Sequence, residues 1–395
     1  MMDRVRIEGL LRTYRDGLLE DTLPFWVPAC VDREFGGFHF ALDRQGNLFE
    51  TDKGVWQQGR FTWLLGTLYS EVEPREQWLE LCTHGVRFLE DRCFDPADGR
   101  AWFHLTREGE PLRKRRYAFG EAFAAMGFAA HARASGSERS RDLALRTWEA
   151  AVRLMTEPGA LPPKFTGQRP MRSIGAPMIR LGVAQVLREM DPDPRFTEEI
   201  DRCIGEIEGF VRPELGAVLE NMGVDGSFHD HEDGRILNPG HALEAGWFIL
   251  EEARQRGGDQ RLVELGVRIV DLSWPWAWDE DHGGILYFRD VLGKPVGEYW
   301  HDMKFWWPHN EAILATLLAW EATGEPRHAE RHGLVHDWAY THLADPECGE
   351  WFGYLHRDGT PSSTAKGNLW KGPFHLPRMQ LLCWRACERL LDRPT

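Results

Sequence analysis

The chain of 395 residues predicts an all-α fold, an (α/α)6 barrel with short β-hairpins in its connecting loops. Three observations lead there. A glycine-bearing, strand-like turn recurs six times. A pair of helical patterns lies between each turn and the next. One helix of each pair is apolar nearly all round, whereas the other is apolar on one side only.

The turns are Glu34-Phe35-Gly36-Gly37-Phe38, Ala97-Asp98-Gly99-Arg100-Ala101-Trp102, Glu157-Pro158-Gly159-Ala160-Leu161, Glu214-Leu215-Gly216-Ala217-Val218, Asp281-His282-Gly283-Gly284-Ile285 and Glu347-Cys348-Gly349-Glu350-Trp351. Their leading glycines, at 36, 99, 159, 216, 283 and 349, are 63, 60, 57, 67 and 66 residues apart. Some turns run on as a hairpin, as in Leu286-Tyr287-Phe288-Arg289-Asp290 before Gly293.

One helix follows each turn, over 56–73, 117–135, 175–190, 239–257, 305–323 and 372–391. The other precedes a turn, over 3–20, 76–92, 139–156, 194–212, 259–272 and 326–343. The stretch Phe119-Gly120-Glu121-Ala122-Phe123-Ala124-Ala125-Met126 is of the first kind and reads as an inner helix buried on both sides. The stretch Leu143-Ala144-Leu145-Arg146-Thr147-Trp148-Glu149 is one-sided and reads as an outer helix. Neither end carries a polar capping repeat, which favours a closed ring over an open solenoid. No Pro/Ser-rich linker divides the chain, so residues 1–395 read as a single domain.

Composition narrows the function. The net charge of −15 argues against nucleic acid and anionic membranes as partners, because both select a basic surface. No apolar run approaches the roughly 18 residues of a membrane span. The charged start Met1-Met2-Asp3-Arg4-Val5-Arg6 lacks the apolar core of a signal peptide. The seven cysteines are scattered and fit neither a disulfide framework nor a zinc site, so the expected compartment is the reducing cytoplasm. The 18 tryptophans serve mostly as core, with some left to line a carbohydrate site.

The chemistry gathers at the starts of the inner helices. Asn238-Pro239-Gly240-His241-Ala242-Leu243-Glu244 supplies a cap, a proline at the first helical position, a histidine in the first turn and a carboxylate on the same face. Phe374-His375-Leu376-Pro377-Arg378 repeats the pattern with arginine for glutamate. Arg60 follows Trp56 on the second helix, as a buried ion-pair partner or an oxyanion binder. Tyr117 and Glu121 open the fourth, and Trp306, His309 and Glu311 the tenth. In a barrel of parallel inner helices these starts share one mouth, where six positive helix ends favour developing negative charge. His229-Asp230-His231 has metal-like spacing but no third ligand nearby, and no phosphate-binding glycine loop occurs.

At these motifs the chain resembles the N-acylglucosamine 2-epimerase family, from about Phe35 to Arg389. The resemblance rests on Val55-Trp56-Gln57-Gln58-Gly59-Arg60, on Asn238 through Phe248, on Trp306-Trp307-Pro308-His309-Asn310-Glu311-Ala312, on Gly349 through Leu355 and on Lys371 through Arg378. It implies the (α/α)6 barrel and an isomerase that inverts C2 of a free N-acyl sugar. It places the catalytic histidines at His241 and His375, and a substrate-site arginine at Arg60. Glu244, Trp306, Glu311 and Arg378 fall on further pocket positions. It implies a cytoplasmic homodimer that needs no metal or other cofactor. Some members respond to a nucleotide effector, for which this chain carries no recognised motif. The sister cellobiose 2-epimerases carry an additional histidine on the sixth helix; Ser173-Ile174-Gly175-Ala176-Pro177-Met178-Ile179-Arg180 has none, which disfavours a disaccharide. The alternative substrate is unmodified mannose, glucose or fructose, with epimerase or aldose–ketose isomerase chemistry. In the expected mechanism one histidine takes the C2 proton, the other returns one to the opposite face, and Glu244 sets the tautomer of a nearby histidine.

Overall fold

The computed structural model describes residues 4–115 and 117–393. Six helical hairpins follow one another in the order the repeat predicts. The outer helices are α1 (4–30), α3 (Glu76–Arg92), α5 (Glu138–Thr156), α7 (Pro194–Glu208), α9 (Gln260–Ala277) and α11 (Pro326–His342). The inner helices are α2 (Val55–Glu71), α4 (Phe119–Ser135), α6 (Gly175–Met190), α8 (Pro239–Gln255), α10 (Trp306–Thr323) and α12 (His375–Leu391). Each inner helix packs on the next around the ring from α2 to α12, and α1 packs on α12. The ring closes where Arg385 of α12 donates to the Glu71 carbonyl at the end of α2 and Phe374 meets Trp63 edge to face.

Burial separates the two layers as the sequence predicts. On α4 every residue from Gly120 to Ala132 is buried, and on α10 every residue from Trp306 to Glu321. On outer α5 only Ser140, Ala144, Trp148 and Ala151 are buried, at the spacing of one helix face. Glycine lets α2 and α4 approach closely. A Cβ on Gly59 would lie 2.3 Å from the Phe123 carbonyl oxygen, and one on Gly127 would lie 2.9 Å from that of Gly59.

Four of the six turns share one construction. Asp32, Asp95, Asp279 and Asp345 each open a loop and accept N–H groups two residues on, from Glu34, Ala97, Asp281 and Glu347. Each is paired with a lysine from a neighbouring segment: Lys53, Lys114, Lys304 and Lys366 at 2.8, 2.5, 2.9 and 3.0 Å. Leading glycines then take the left-handed conformation. In the last loop Glu350 stands where Gly37 and Gly284 stand, with φ of 58°. Its carboxylate binds Trp26 at 2.6 Å and Lys371 at 2.7 Å, tying α1 to the segment that leads into α12. That bond network offsets the cost of a non-glycine residue in this region.

A short strand precedes most inner helices and pairs with the hairpin that follows the next outer helix. Lys53–Gly54 pairs with His104–Leu105, Met171–Ser173 with Asn221–Gly223, Ile236–Leu237 with Arg289–Asp290 and Lys304–Phe305 with Tyr354–Leu355. These pairings pin the first turns of α2, α6, α8 and α10 at one end of the barrel.

The largest departures from the sequence reading are at three helix ends. The first helix runs to Cys30 through a π-helical turn, Gly17–Thr22, because Pro24 has no N–H to continue the regular ladder. α7 stops at Glu208 rather than 212, because Val211–Arg212 pairs with Ala217–Val218. α9 runs past 272 through Pro275 to Ala277, where Trp274 and Ala277 are buried. Among the described residues no helix is long and apolar enough to cross a membrane.

Candidate active site

The inner helix starts surround a cavity of about 650 Å³. Trp56, Arg60, Tyr117, His241, Trp306 and His375 line its mouth, with Glu244 and Arg378 one turn below. His241 takes its place from the local sequence: Pro239 sits in the first turn of α8, and Asn238 Oδ1 accepts the His241 N–H at 3.2 Å. His375 is the first residue of α12 and has no side-chain cap.

Each histidine is oriented by a carboxylate. His241 Nδ1 donates to Glu220 Oε2 at 3.0 Å, and His375 Nδ1 donates to Glu311 Oε1 at 2.6 Å. Among the described residues the Nε2 atoms of both rings have no hydrogen-bond partner, and both residues line the cavity. The Trp307 indole lies against both imidazoles, with centroids at 5.1 and 5.7 Å, so one rigid side chain spaces the pair.

The two rings differ in basicity. Burial works against a charged His241, but the charge and hydrogen bond of Glu220 outweigh it and raise the pKa above the ordinary value. Burial, then the guanidinium groups of Arg378 and Arg60, hold His375 well below its ordinary value. His375 is therefore a neutral base at neutral pH, and His241 is the more readily protonated of the two.

Arg60 lies among aromatic rings, with its guanidinium carbon 4.0 Å from the Phe123 centroid and 4.5 Å from that of Phe374. Among the described residues its Nε is buried without a partner, and burial lowers its pKa to about 9, which leaves it cationic at neutral pH. It is a cation with donors to spare, facing the site. Trp306 Nε1 is likewise buried without a partner. Arg378 Nη2 bridges Glu244 Oε1 at 2.5 Å and Glu311 Oε1 at 2.8 Å. Glu244, Glu311 and His375 have ligand atoms close enough together to hold a metal ion. The Arg378 guanidinium already lies against all three, at 3.4 Å from His375 Nδ1. A cation is thus built into the position that a metal would take.

The structure brings together Arg60, Tyr117, His241, Glu244, Trp306, His375 and Arg378 around the cavity, with Glu311 directly behind His375. Two expected pocket residues turn away. His309 donates to the Phe305 carbonyl at 2.6 Å, accepts the Ile285 N–H at 2.8 Å and stacks on Trp338; burial lowers its pKa to about 3. Glu121 anchors the turn before α4 by accepting from Arg100 at 2.5 Å and from the Ala101 N–H at 3.0 Å. Glu244 binds Arg378; the carboxylates on the histidines are Glu220 and Glu311. Sequence reasoning missed Glu220 and Trp307. Glu220 sits outside every motif, directly before the strand Asn221–Gly223 that pairs across to Met171–Ser173. Trp307 adjoins a residue that was singled out, and the step along an inner helix decides which of two adjacent tryptophans meets the histidines.

The family model described as N-acylglucosamine 2-epimerase (GlcNAc 2-epimerase) matches residues 36–375. The N-acylglucosamine 2-epimerase of Bos taurus is 35% identical, over 97% of this chain and 93% of the bovine one. The cellobiose 2-epimerase structure of Spirochaeta thermophila superposes with a TM-score of 0.84 at 21% identity, over 98% of this chain and 99% of its own. A D-mannose isomerase structure superposes with a TM-score of 0.81 at 17% identity, over 97% and 98%. These two likenesses bear on the fold, and both agree with the barrel seen here. On the family model and on the identity to the bovine enzyme across nearly the whole length, the chain belongs to the N-acylglucosamine 2-epimerase family.

Proposed function

We propose that the protein interconverts N-acylglucosamine and N-acylmannosamine by inverting C2 of the open-chain sugar. The observation that carries this reading is the pair of histidines, each fixed at Nδ1 by a carboxylate and, among the described residues, free at Nε2, in one cavity with Arg60. Ring opening gives an aldehyde, and the carbonyl acidifies the proton on C2. Neutral His375 removes that proton from the epimer that presents it. Negative charge develops on the carbonyl oxygen, where the Arg60 guanidinium and the helix starts stabilise it. Protonated His241 returns a proton to the other face of C2. In the reverse direction the two rings exchange roles. Glu220 and Glu311 orient the rings and stabilise the imidazolium that forms at each.

The chemistry balances without a metal or other cofactor, because imidazoles move the proton and a guanidinium holds the oxyanion. The reading carries with it a homodimer and a reducing compartment, in which the seven cysteines, all free, stay reduced.

The test is NMR in D2O with N-acetylmannosamine, and separately with mannose. N-acetylglucosamine carrying deuterium at C2 is the expected product. Inert N-acetylmannosamine, with mannose turning into glucose or fructose, would reject the N-acyl substrate.

A further inference from the structure

The cavity does not end beneath the histidines. On α6 it is lined by Met178, Ile179, Gly182, Val183, Val186 and Glu189, spaced so that they share one helix face. On α8 it is lined from His241 and Glu244 through Trp247 and Phe248 to Glu251 and Gln255. From His241 to Gln255 the helix rises about 21 Å at ~1.5 Å per residue. The cavity therefore follows α8 through the whole barrel wall. α10 contributes to it only at its first turn, through Trp306 and Trp307. The lower part is a channel lined by α6 and α8 together with Trp63, Met126 and Leu382, and it ends on Glu189 and Gln255, both exposed.

Beside the cavity α6 and α8 are tied directly to each other. Gly182 faces Phe248 so closely that a Cβ there would lie 2.8 Å from the ring. Gln185 bridges to the Phe248 carbonyl at 3.1 Å and to Glu252 at 3.0 Å, and Arg188 clamps Glu252 at 2.7 Å. These bonds fix the spacing of α6 and α8.

Its walls divide by polarity. Arg60, His241, Glu244, His375 and Arg378 sit on α2, α8 and α12. The wall on α4 and α6 is apolar through Phe123, Met126, Met178, Ile179 and Val183, and turns polar toward its far end at Gln185 and Glu189. A hydroxylated sugar edge gains nothing there, since its hydroxyls would lose water without finding partners. The apolar part of an N-acyl hexosamine is its acyl chain, which hangs from C2, the carbon held between the histidines. A volume of about 650 Å³ lies in the range of roughly 300–1,000 Å³ that suits drug-sized ligands, and exceeds what a monosaccharide fills.

We propose that this channel receives the acyl chain, so that the enzyme epimerises N-acyl hexosamines with straight alkyl chains well beyond acetyl. The proposal rests on the N-acyl reading above. It is tested with purified enzyme and mannosamine carrying N-acetyl, N-butanoyl, N-hexanoyl or N-octanoyl groups. KM is expected to fall by up to about fourfold per added methylene until the channel is filled, the factor that burying one CH2 supplies, with kcat little changed. The substitution Val186→Trp, in the lower channel and away from the catalytic groups, should leave N-acetyl kinetics unchanged and remove the gain for N-octanoyl. A KM that rises from butanoyl onward in the native enzyme would overturn the proposal. So would an octanoyl advantage that survives in a folded Val186→Trp variant. N-acetylmannosamine turned over with N-hexanoyl inert rejects the channel alone. Turnover of mannose with every N-acyl sugar inert rejects the substrate reading itself.

Discussion

The Glu220 carboxylate holds His241 Nδ1 at 3.0 Å, and this contact makes the two histidines of the site unequal. Glu220 reaches His241 from a loop, and His375 has no comparable advantage, because its own carboxylate, Glu311, is shared with Arg378. A single proton shared by the pair therefore sits on His241 by preference. Proton transfer across C2 needs that singly protonated state.

Glu220→Gln removes the charge that keeps His241 protonated and leaves the burial that opposes it. The His241 pKa then drops below its ordinary value. The profile of kcat/KM against pH loses its alkaline side, which moves toward acid by about one unit or more, while the acid side set by His375 stays. At pH 8 both directions slow about tenfold, since one pKa unit corresponds to a factor of ten. They slow together, because the equilibrium between the epimers is fixed by the sugars. An unchanged alkaline limb in the variant would show that Glu220 does not tune His241.

Removing either histidine separates the half-reactions. His241→Ala keeps His375 and its Glu311 contact, so it exchanges the C2 proton of one epimer with D2O but does not invert it. His375→Ala does the same for the other epimer. Inversion should fall at least a hundredfold in both, the lower end of what a positioned acid or base contributes. Full inversion by both variants would exclude the two-histidine scheme.

Much of this site was legible because helix starts are legible. Asn238 and Pro239 announce where α8 begins, and the start of an inner helix is where a side chain meets the mouth. What sequence could not supply was direction around the helix and contact across the ring. His309 belongs to the same motif as Trp306 and Glu311, yet it faces the outer layer and stacks on Trp338. Glu220 is distant in sequence from the histidine it serves, and no local pattern marks it. The repeat fared better than the pairings because every leading glycine sits in a turn that needs a positive φ, a local requirement. The two ends of the chain are joined instead by contacts that no local pattern marks, Glu350 with Trp26 and Lys371, and Arg385 with the Glu71 carbonyl.

Arg378 offers a test of the buried charge network. Its Nη2 lies between two carboxylates that would otherwise face each other out of water. Arg378→Met should lower unfolding stability by about 3–5 kcal/mol, the usual cost of stranding a buried charge. Adding Glu244→Gln to that variant should restore part of the loss, because one stranded charge is gone. Urea unfolding of the two single variants and the double variant measures the coupling. Strict additivity would mean that Glu244 and Arg378 are not paired in the folded protein.

The seam between α1 and α11 makes the fold acid-sensitive through histidines outside the site. Tyr14 Oη lies 3.0 Å from His332 Nε2 and 2.9 Å from His336 Nδ1, all three buried. Burial first, with nearby Arg6 adding to it, lowers His332 to about 4 and His336 to about 2. In the unfolded chain both return to about 6.5. Below that pH the unfolded state binds more protons than the folded one, so stability falls as pH falls from 6.5 toward the folded values. Between pH 6.5 and pH 5 each buried histidine costs about 2 kcal/mol, and His309 adds a third such group. His336→Gln gives up a ring bonded to Tyr14 and should be less stable at pH 7.5, yet its stability should fall less steeply on acidification, by one proton's share of the slope. Urea midpoints at pH 7.5, 6 and 5 decide the matter. Equal slopes in the native and variant proteins would mean that His336 takes up its proton without unfolding.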